Sequence, residues 1–303
     1  MMMDLEERPC PVCETETPLR VVHETNIDAS KLDEFAFASR KFPENMHYRL
    51  VSCGRCGLLC ANPAPRAQEL VAQYEAAAYD SGVEADLAAR TYAHYLKKHL
   101  GAIGPRKGAL DIGSGNGSFL EQLLALGFTD VVGVEPSLAP IRAAKPEIRP
   151  LLKHAPFRAE DFAKESLALV SCFMTLEHVH DPGEMTRQLF DLVAPKGGVF
   201  FVAHNFEGLV NRVLGKKSPI YDIEHLQLFS PRSLEELLKR AGFTGVKVFP
   251  ITNAYPLSYW MRLSPLPRAA KERLIGGLDR VGVGRVNIPV PVGNLGAIGV
   301  KPG

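Results

Sequence analysis

Short apolar runs alternate with helix-like stretches through the second half of the chain. Runs rich in Val, Ile, Leu and Phe, bounded by glycine, proline or charged residues, predict strands near 108–112, 130–134, 149–152, 167–173, 197–203 and 245–250, and a last strand over 294–301. Helical segments are expected between them. This order of elements is typical of an α/β fold built on a mostly parallel sheet.

The first of these strands runs into a glycine-rich turn with Gly113, Gly115 and Gly117. The second ends in Glu135, 22 positions after Gly113, where the mononucleotide-binding half of a doubly wound fold carries a carboxylate for ribose hydroxyls. The G-x-G-x-G spacing differs from the G-x-G-x-x-G of dinucleotide sites, and no lysine follows as in a P-loop. Asp111 would repel a pyrophosphate, and it suits a cationic or amino-acid-like ligand.

This loop resembles the first motif, D/E-x-G-x-G-x-G, of class I S-adenosylmethionine (SAM)-dependent methyltransferases. Later motifs are matched by 169–182 with its Leu-Glu-His-Val segment, by the proline–glycine turn in 192–202, and by 233–243 ending in Ala-Gly-Phe. Leu167 and Ala168 depart from the family's usual Phe-Asp. The resemblance spans roughly 104–250 and implies a Rossmann-like, seven-stranded methyltransferase sheet whose last two strands are antiparallel.

The resemblance also implies a SAM site. Asp111, Gly113 and Gly115 would flank the amino-acid tail, Glu135 would bind the ribose, and Phe157 in the loop 154–157 would form the adenine wall. The complete expected cofactor-binding set is Asp111, Gly113, Ser114, Gly115, Gly117, Glu135, Pro136, Phe157, Phe173 and His178.

Composition excludes some classes of protein. The chain has 303 residues, 46% hydrophobic and 23% charged, which is ordinary for a globular protein. A net charge of +1 gives no overall attraction to nucleic acid. No apolar run reaches the ~18 residues of a membrane span. The acidic Met1–Glu7 lacks the order of a signal peptide, so we expect a cytoplasmic protein.

Four of the six cysteines form two C-x-x-C units, Cys10/Cys13 and Cys53/Cys56. In a reducing compartment paired units of this kind favour one closed, structural Zn²⁺ site over disulfides. The 39 residues between Cys13 and Cys53 exceed the spacing of a minimal zinc ribbon. The alternative is a redox-active C-x-x-C. Such a site needs a single C-x-x-C unit at the start of a helix, and two units fit it poorly. Cys60 and Cys172 are expected to be buried.

These patterns predict three parts of the chain. Residues 1–62 form a zinc-ribbon-like module, and 63–107 form a helical linker or lid with helices over 67–78 and 84–100. Residues 108–303 form the SAM-binding domain, with a cap inserted at about 253–293 that includes a basic amphipathic helix over 267–281.

Candidate catalytic residues follow the fifth strand. His225 fits a general base, and Glu224 could fix its tautomer. In the alternative interpretation this segment is only a structural corner that opens the next helix. The arrangement is similar to that of sugar C-methyltransferases, which begin with a cysteine-knuckle domain and place a tyrosine where this chain has Tyr79. Those enzymes carry a further C-terminal domain that this sequence lacks, so O-methylation is at least as well supported.

The leading hypothesis is therefore a SAM-dependent methyltransferase acting on a hydroxyl or a ketone-adjacent carbon of a small molecule, such as a nucleotide-linked sugar, a glycan or a related metabolite. An RNA methyltransferase would need a basic module, whereas residues 4–34 are rich in acids. A zinc-stabilised SAM-binding scaffold without turnover is the third hypothesis. The sequence leaves the acceptor atom and the oligomeric state open.

Overall fold

The computed structural model describes residues 4–14, 18–28, 30, 45–75, 82–264 and 266–303. Five short strands and two helices make up the N-terminal part of these residues. They are β1 (Leu5–Glu6), β2 (Leu19–His23), β3 (Leu50–Cys53), β4 (Leu59–Ala61), β5 (Ala64–Pro65), α1 (Ala67–Glu75) and α2 (Gly82–Lys97).

Strands and helices then alternate, as the apolar pattern indicates. The elements are β6 (Lys107–Ile112), α3 (Ser118–Ala125), β7 (Thr129–Glu135), α4 (Leu138–Ala143), β8 (Leu152–His154), β9 (Leu167–Phe173), α5 (Pro182–Leu192), β10 (Val193–His204), α6 (Leu209–Leu214), β11 (Gln227–Leu228), α7 (Pro231–Arg240), β12 (Thr244–Pro256), α8 (Leu257–Leu263), α9 (Arg268–Arg280) and β13 (Asn287–Val300).

The central sheet has seven strands in the order β12-β13-β10-β9-β6-β7-β8. The five strands from β10 to β8 are parallel, and β13 is antiparallel to both of its neighbours. β6 and β9 are neighbours in the sheet but not in the chain. From this pair the successive strands are added toward opposite edges of the sheet, so the loops that follow β6 and β9 diverge. The predicted α/β architecture and seven-stranded sheet are confirmed.

Two strands differ from the sequence prediction. Residues 149–151 form a short 3₁₀ turn, and the third parallel strand begins only at Leu152. The last strand starts at Asn287, seven residues before the predicted 294. Its first half pairs only with β12, for example Pro289 with Ala254, so a proline that lacks an N–H donor is tolerated at the open edge. The prolines hide this strand from a propensity-based prediction.

A second, four-stranded sheet, in the order β11-β4-β3-β2, lies beside the first. Three of its strands come from the cysteine-bearing segment, but β11 lies 167 positions further along the chain. Gln227 pairs with Cys60 and Leu228 with Leu59. The buried cluster that contains the four C-x-x-C cysteines also contains residues of the parallel sheet, such as Leu110 and Phe201. The two sheets therefore share one core.

Two helices begin directly after loops that carry histidines. Asp181 caps α5 by accepting from the Glu184 N–H, and Pro182 occupies the first turn. Ser230 caps α7 in a reciprocal box with Ser233. These caps fix where the loops that hold His178 and His225 must end.

The helices α8 and α9 lie between β12 and β13. Trp260 Nε1 donates to the Ile288 carbonyl at 2.8 Å, and Lys271 Nζ donates to the Arg262 carbonyl at 2.7 Å, which fastens the two helices to the strand ends. The division at residues 62 and 107 and the cap limits of 253–293 stay predictions. Among the residues that the structure describes, no helix is both long and apolar enough to cross a membrane.

Candidate active site

A cavity of about 990 Å³ opens at the carboxyl ends of the parallel strands, where open α/β sheets bind ligands. One half is lined by the glycine loop after β6 and by the end of β7. The other half is lined by His178, His204 and His225 and by the aromatic side chains of α8. The site therefore has room for two molecules side by side.

The glycine loop forms the floor of the first half. Gly113 has a φ of +68°, and a Cβ there would lie 2.3 Å from Thr175 Oγ1, so only glycine fits. Gly115 has a φ of +54° and faces open space within 4 Å. Gly117 instead packs against Ile148, where it supports the turn behind the cavity. The loop thus brings Gly113, Ser114 and Gly115 to the cavity, with Gly117 one layer away.

Glu135 ends β7 at the wall of the same half. Its Oε2 accepts from the Gly115 N–H at 2.9 Å, and its Oε1 accepts from the Ser137 N–H at 2.8 Å. Burial raises the pKa of this carboxyl, and the two backbone hydrogen bonds oppose that shift. Each oxygen has a further lone pair, so a fixed carboxylate is presented to hydroxyl donors.

Asp111 lies deeper in the cavity, 3% exposed, and accepts from Ser171 Oγ at 2.6 Å. Burial raises the pKa of Asp111 to about 7, although the Ser171 hydrogen bond lowers it, and the nearby Glu135 charge adds to the rise. A cation bound beside it would favour the ionised form. This side chain is therefore suited to a positively charged ligand.

Aromatic and proline side chains line the rest of this half. Pro136, Phe157 and Phe173 all border the cavity. The Phe157 ring stacks on Phe162 at 6.1 Å between centroids, and the Phe173 ring meets Phe119 edge to face at 4.5 Å. These contacts fix two apolar surfaces that a planar base can occupy.

Three histidines gather where the two halves of the cavity meet. His225 follows the loop after β10, and its ring centroid lies 5.0 Å from those of both His178 and His204. His178 comes from the loop after β9, and His204 ends β10. The sequence indicated His225 and His178; it also offered His204, at the end of the fifth strand, as a candidate base or as a residue that only forms a hydrogen bond there.

Two of the three imidazoles bear their proton on Nδ1. His225 Nδ1 lies 2.8 Å from the Ile220 carbonyl, and His178 Nδ1 lies 3.0 Å from the Glu224 carbonyl. Since a carbonyl only accepts, each of these two Nδ1 atoms must donate, and His225 Nε2 keeps a lone pair. Burial lowers the pKa of His178 and lowers that of His204 to about 4. These two histidines are therefore neutral at pH 7.

The part played by Glu224 differs from the sequence expectation. Its carboxylate Oε1 lies 3.9 Å from His225 Nε2, beyond hydrogen-bond distance, so the Ile220 carbonyl fixes the His225 tautomer instead. The backbone carbonyl of Glu224 also accepts from Tyr74 Oη at 3.1 Å. Tyr74 was not predicted as a site residue. Tyr79, which was predicted, lies outside the described residues.

The second half of the cavity is closed by an aromatic wall that we define as Tyr255, Tyr259 and Trp260. Their ring centroids lie 4.7 to 5.6 Å apart. Asn253 is 1% exposed and its Oδ1 has no hydrogen-bond partner in the described part of the chain. Val290, two residues beyond Ile288, adds an aliphatic surface. This wall comes from the cap, where the sequence offers no motif.

The four C-x-x-C cysteines meet in space. Their sulfur atoms all lie within 4.8 Å of one another, with Cys10 to Cys56 at 3.6 Å and Cys13 to Cys53 at 3.9 Å. A tetrahedron with Zn–S bonds of about 2.3 Å has edges of roughly 3.8 Å, so the donor set fits one zinc ion. Burial raises the pKa of the neighbouring Cys60 to about 12, which keeps that residue a thiol.

Comparison with known proteins agrees with this geometry. Residues 84–248 match the family described as "Methyltransferase domain". The "Ubiquinone biosynthesis O-methyltransferase" of Aliivibrio fischeri strain MJ11 is 30% identical over 169 residues, covering 50% of this chain and 72% of that protein. The chain belongs to the methyltransferase domain family. The prediction of a SAM-dependent methyltransferase is thus confirmed.

Other relatives resemble this methyltransferase over similar lengths. The protein of the same name from Acinetobacter baylyi is 25% identical over 198 residues, covering 59% of this chain and 82% of its own. Among solved structures, the "plantazolicin methyltransferase BpumL in complex with SAH" matches with a TM-score of 0.50 and 18% identity, over 78% of this chain and 90% of that one. That likeness shows the shared fold.

The glycine-loop half of the methyltransferase cavity fits SAM by its chemistry. Two buried carboxyls, Asp111 and Glu135, face a cofactor that carries cationic groups and ribose hydroxyls, and Gly115 leaves open space between them. Pro136, Phe157 and Phe173 supply the apolar surfaces for a base. Which residues contact SAM stays a prediction, and the next two experiments address it.

Glu135→Gln should weaken SAM binding by about 10- to 100-fold, because a hydrogen bond to a charged group contributes roughly 1.5–3 kcal/mol. The amide keeps the shape of the side chain but can accept only one of the two backbone hydrogen bonds that hold Glu135. Titration calorimetry measures the change, and the exposed Glu147→Gln is the matched control. Equal SAM affinity in the two variants would remove the ribose assignment.

Asp111 should make SAM binding depend on pH. Since the folded pKa is raised to about 7, the carboxylate that attracts the cation forms as pH rises, and affinity should weaken by up to ~10-fold per unit below pH 7. In the ligand-free protein the sign is opposite: the free energy of unfolding falls as pH rises from the ordinary value of 3.8 toward 7. Calorimetry from pH 6 to 8 should show a slope in the parent that Asp111→Asn flattens.

Proposed function

We propose that this methyltransferase transfers a methyl group to a hydroxyl oxygen of a small, uncharged molecule with an aromatic or apolar body. The observation that carries the proposal is the lining of the second half of the cavity. Neutral histidines stand at one end and the aromatic wall at the other, and none of the described residues that line the cavity is Lys or Arg. Such a site supplies no partner for an anionic acceptor.

The relatives support oxygen as the acceptor atom. The similar proteins of Aliivibrio fischeri and Acinetobacter baylyi are both named O-methyltransferases of ubiquinone biosynthesis. Their similarity covers 50–59% of this chain. We extend only the reaction type to this protein, and we take the acceptor from its own cavity.

Each residue of the histidine cluster has a proposed role. His225, held by the Ile220 carbonyl, takes the hydroxyl proton on Nε2. His178 and His204 are neutral imidazoles beside it, and they would orient the acceptor molecule. When bound, SAM would supply an electrophilic methyl carbon, and the methyl group would pass to the oxygen as its bond to the sulfonium sulfur breaks to leave a neutral thioether. Catalysis would then rest on alignment and proton removal.

The charges that line the second half of the cavity argue against the nucleotide-linked sugar expected from the sequence. A nucleotide-linked sugar carries two phosphates, which need Lys, Arg or helix N-termini. The carboxylates Glu84, Glu224 and Asp222 line this half of the cavity instead. An RNA acceptor meets the same objection. A flat, uncharged ring that packs against the Tyr255 and Trp260 side chains matches the wall in shape and polarity.

We further propose that Cys10, Cys13, Cys53 and Cys56 hold one structural Zn²⁺. All four are buried, so no position is open for a substrate water, which is typical of a structural site. The zinc would hold the cysteine segment folded, and it would take no part in methyl transfer. We place the protein in the cytoplasm, where such thiols stay reduced.

The test begins with a zinc assay and a SAM titration of the purified protein. With SAM labelled in its methyl group, the label should then appear on a neutral phenol or ortho-diphenol. Chemical cleavage of the product as a methyl ether shows that the acceptor atom is oxygen. A nucleotide-linked sugar, a simple glycoside and a structured RNA serve as competing acceptors. Methylation of any of these three in preference to the phenols would overturn the proposed acceptor. SAM binding without transfer to any acceptor would favour the scaffold hypothesis.

A further inference from the structure

Arg8, two residues before the first zinc-binding cysteine, joins three parts of the molecule. It is 9% exposed, and its guanidinium donates to the Ala61 carbonyl at 3.3 Å, to the Leu226 carbonyl at 3.3 Å and to the His180 carbonyl. These acceptors lie beside the cysteines, beside His225 and beside His178. One side chain therefore links the cysteine segment to both histidine loops.

Gln227 completes the link from the other side. It is fully buried, and its Oε1 accepts from Arg8 Nη2 at 3.1 Å. Its Nε2 donates to the Leu176 carbonyl at 2.5 Å and to the Val179 carbonyl at 2.7 Å. The turn that carries Glu177 and His178 is thus spanned at both ends by one amide.

Backbone hydrogen bonds run through the same place. The Leu226 N–H donates to the Glu177 carbonyl at 2.8 Å, and the Leu226 carbonyl accepts from the Ala61 N–H at 2.7 Å. Leu226 directly follows His225, and Ala61 directly follows Cys60. The contacts form a continuous path from the zinc-binding strands to the two histidines.

We propose that Arg8 and Gln227 are positioning residues for the acceptor side of the active site. We define them as the Arg8–Gln227 clamp. The clamp sets the distance between the His178 turn and the His225 loop, and through it the cysteine module acts as a brace for the general base. This inference rests on the proposed function, because it takes His225 as the base.

The chemistry of the clamp requires these two side chains. A guanidinium offers five donors in a rigid fork, so it can satisfy carbonyls from three segments at once, whereas a lysine offers a single mobile point of charge. Displacing a catalytic group by about 1 Å costs up to ~100-fold in rate. The clamp can therefore change the catalytic rate by positioning His225, although neither of its side chains contacts SAM or the acceptor.

Two variants test the clamp. Arg8→Lys keeps the charge and loses the fork, and Gln227→Glu keeps the shape and loses the amide donors to Leu176 and Val179. Each should lower kcat by about 10- to 100-fold and leave the SAM dissociation constant within about threefold. The exposed Arg66→Lys, which alters only an ion pair with Glu6, is the matched control.

A spectroscopic readout separates positioning from general stability. Long-range ¹H–¹⁵N spectra of the imidazoles should show His225 with a protonated Nδ1 in the parent. In both clamp variants the His225 signal should shift, or a second signal from the tautomer protonated on Nε2 should appear. The imidazole signals of the distant His94 should stay in place. If Arg8→Lys fails to fold, Gln227→Glu alone decides.

The outcomes distinguish this inference from the proposed function. Unchanged kcat and an unchanged His225 spectrum in both variants would overturn the clamp. So would a loss of SAM affinity in the same proportion as kcat, since that indicates a general structural defect. If the parent methylates no hydroxyl acceptor, the proposed function fails, and the His225 spectrum still reports whether the clamp holds the loop.

Discussion

His225→Asn should lower kcat by about 10²- to 10⁴-fold, the usual contribution of a general base, and leave SAM affinity within about threefold. Asparagine retains a donor that can reach the Ile220 carbonyl but has no basic nitrogen to take the hydroxyl proton. Steady-state kinetics with a phenolic acceptor measure the change. The exposed His94→Asn should behave like the parent enzyme.

The pH profile adds a second criterion for His225. If Nε2 takes the proton, log kcat of the parent should fall on the acid side, where the imidazole is protonated, and this limb should be absent in His225→Asn. Because burial lowers the pKa of His204 to about 4, that residue cannot produce a limb near neutrality. If the His225→Asn variant keeps full activity and the same acid limb in its pH profile, His225 has only the structural role that the sequence also allows.

The positions of the glycine loop and Glu135 at the cavity could be predicted from sequence because their determinants are local. The turn at Gly113 needs a positive φ and a missing Cβ, and glycine is the residue that meets both conditions. Glu135 follows at the end of the next strand, so one short segment fixes the positions of loop and acid. Gly117 belongs to the same pattern but serves packing against Ile148, a difference that spacing does not reveal.

The acceptor half could not be predicted because its contacts are formed by distant or unpatterned residues. The pairing of Gln227 with Cys60 joins positions 167 residues apart. Glu224 and His225 are neighbours in sequence, yet the Ile220 carbonyl, five residues earlier, holds the imidazole. Backbone acceptors of this kind have no sequence signature, since every residue carries a carbonyl.

The cap shows the same limit in another form. Pro289 weakens the strand signal of the segment that carries Val290, so the strand prediction began at 294 although β13 begins at Asn287. Tyr255 and Trp260 are a few residues apart and read as ordinary apolar positions. Only the folded chain shows that they form one wall of the cavity.

Cys53→Ser should release the proposed zinc ion and lower the thermal stability of the enzyme. Metal content should fall from about one zinc per chain to near none, because serine is a poor zinc ligand and structural zinc binding in small domains contributes on the order of 10 kcal/mol. The midpoint of thermal unfolding should fall by about 10 °C or more. Elemental analysis and calorimetry measure both. Cys60→Ala, beside the cluster but not a ligand, should keep its zinc.

The effect should reach the active site by a route that hydrogen exchange can follow. The first knuckle is tied to α5 and α7, since the Pro11 carbonyl accepts from the Gly183 N–H at 3.1 Å and the Cys13 carbonyl accepts from Arg240 at 2.9 Å. Chelation should therefore raise exchange in β4 and β11 more than in β6 and β7. SAM binding, which we assign to the loops after β6 and β7, should survive conditions that abolish methyl transfer. Equal loss of protection in both sheets would mean that zinc stabilises the shared core as one unit, with no selective support of the histidine loops.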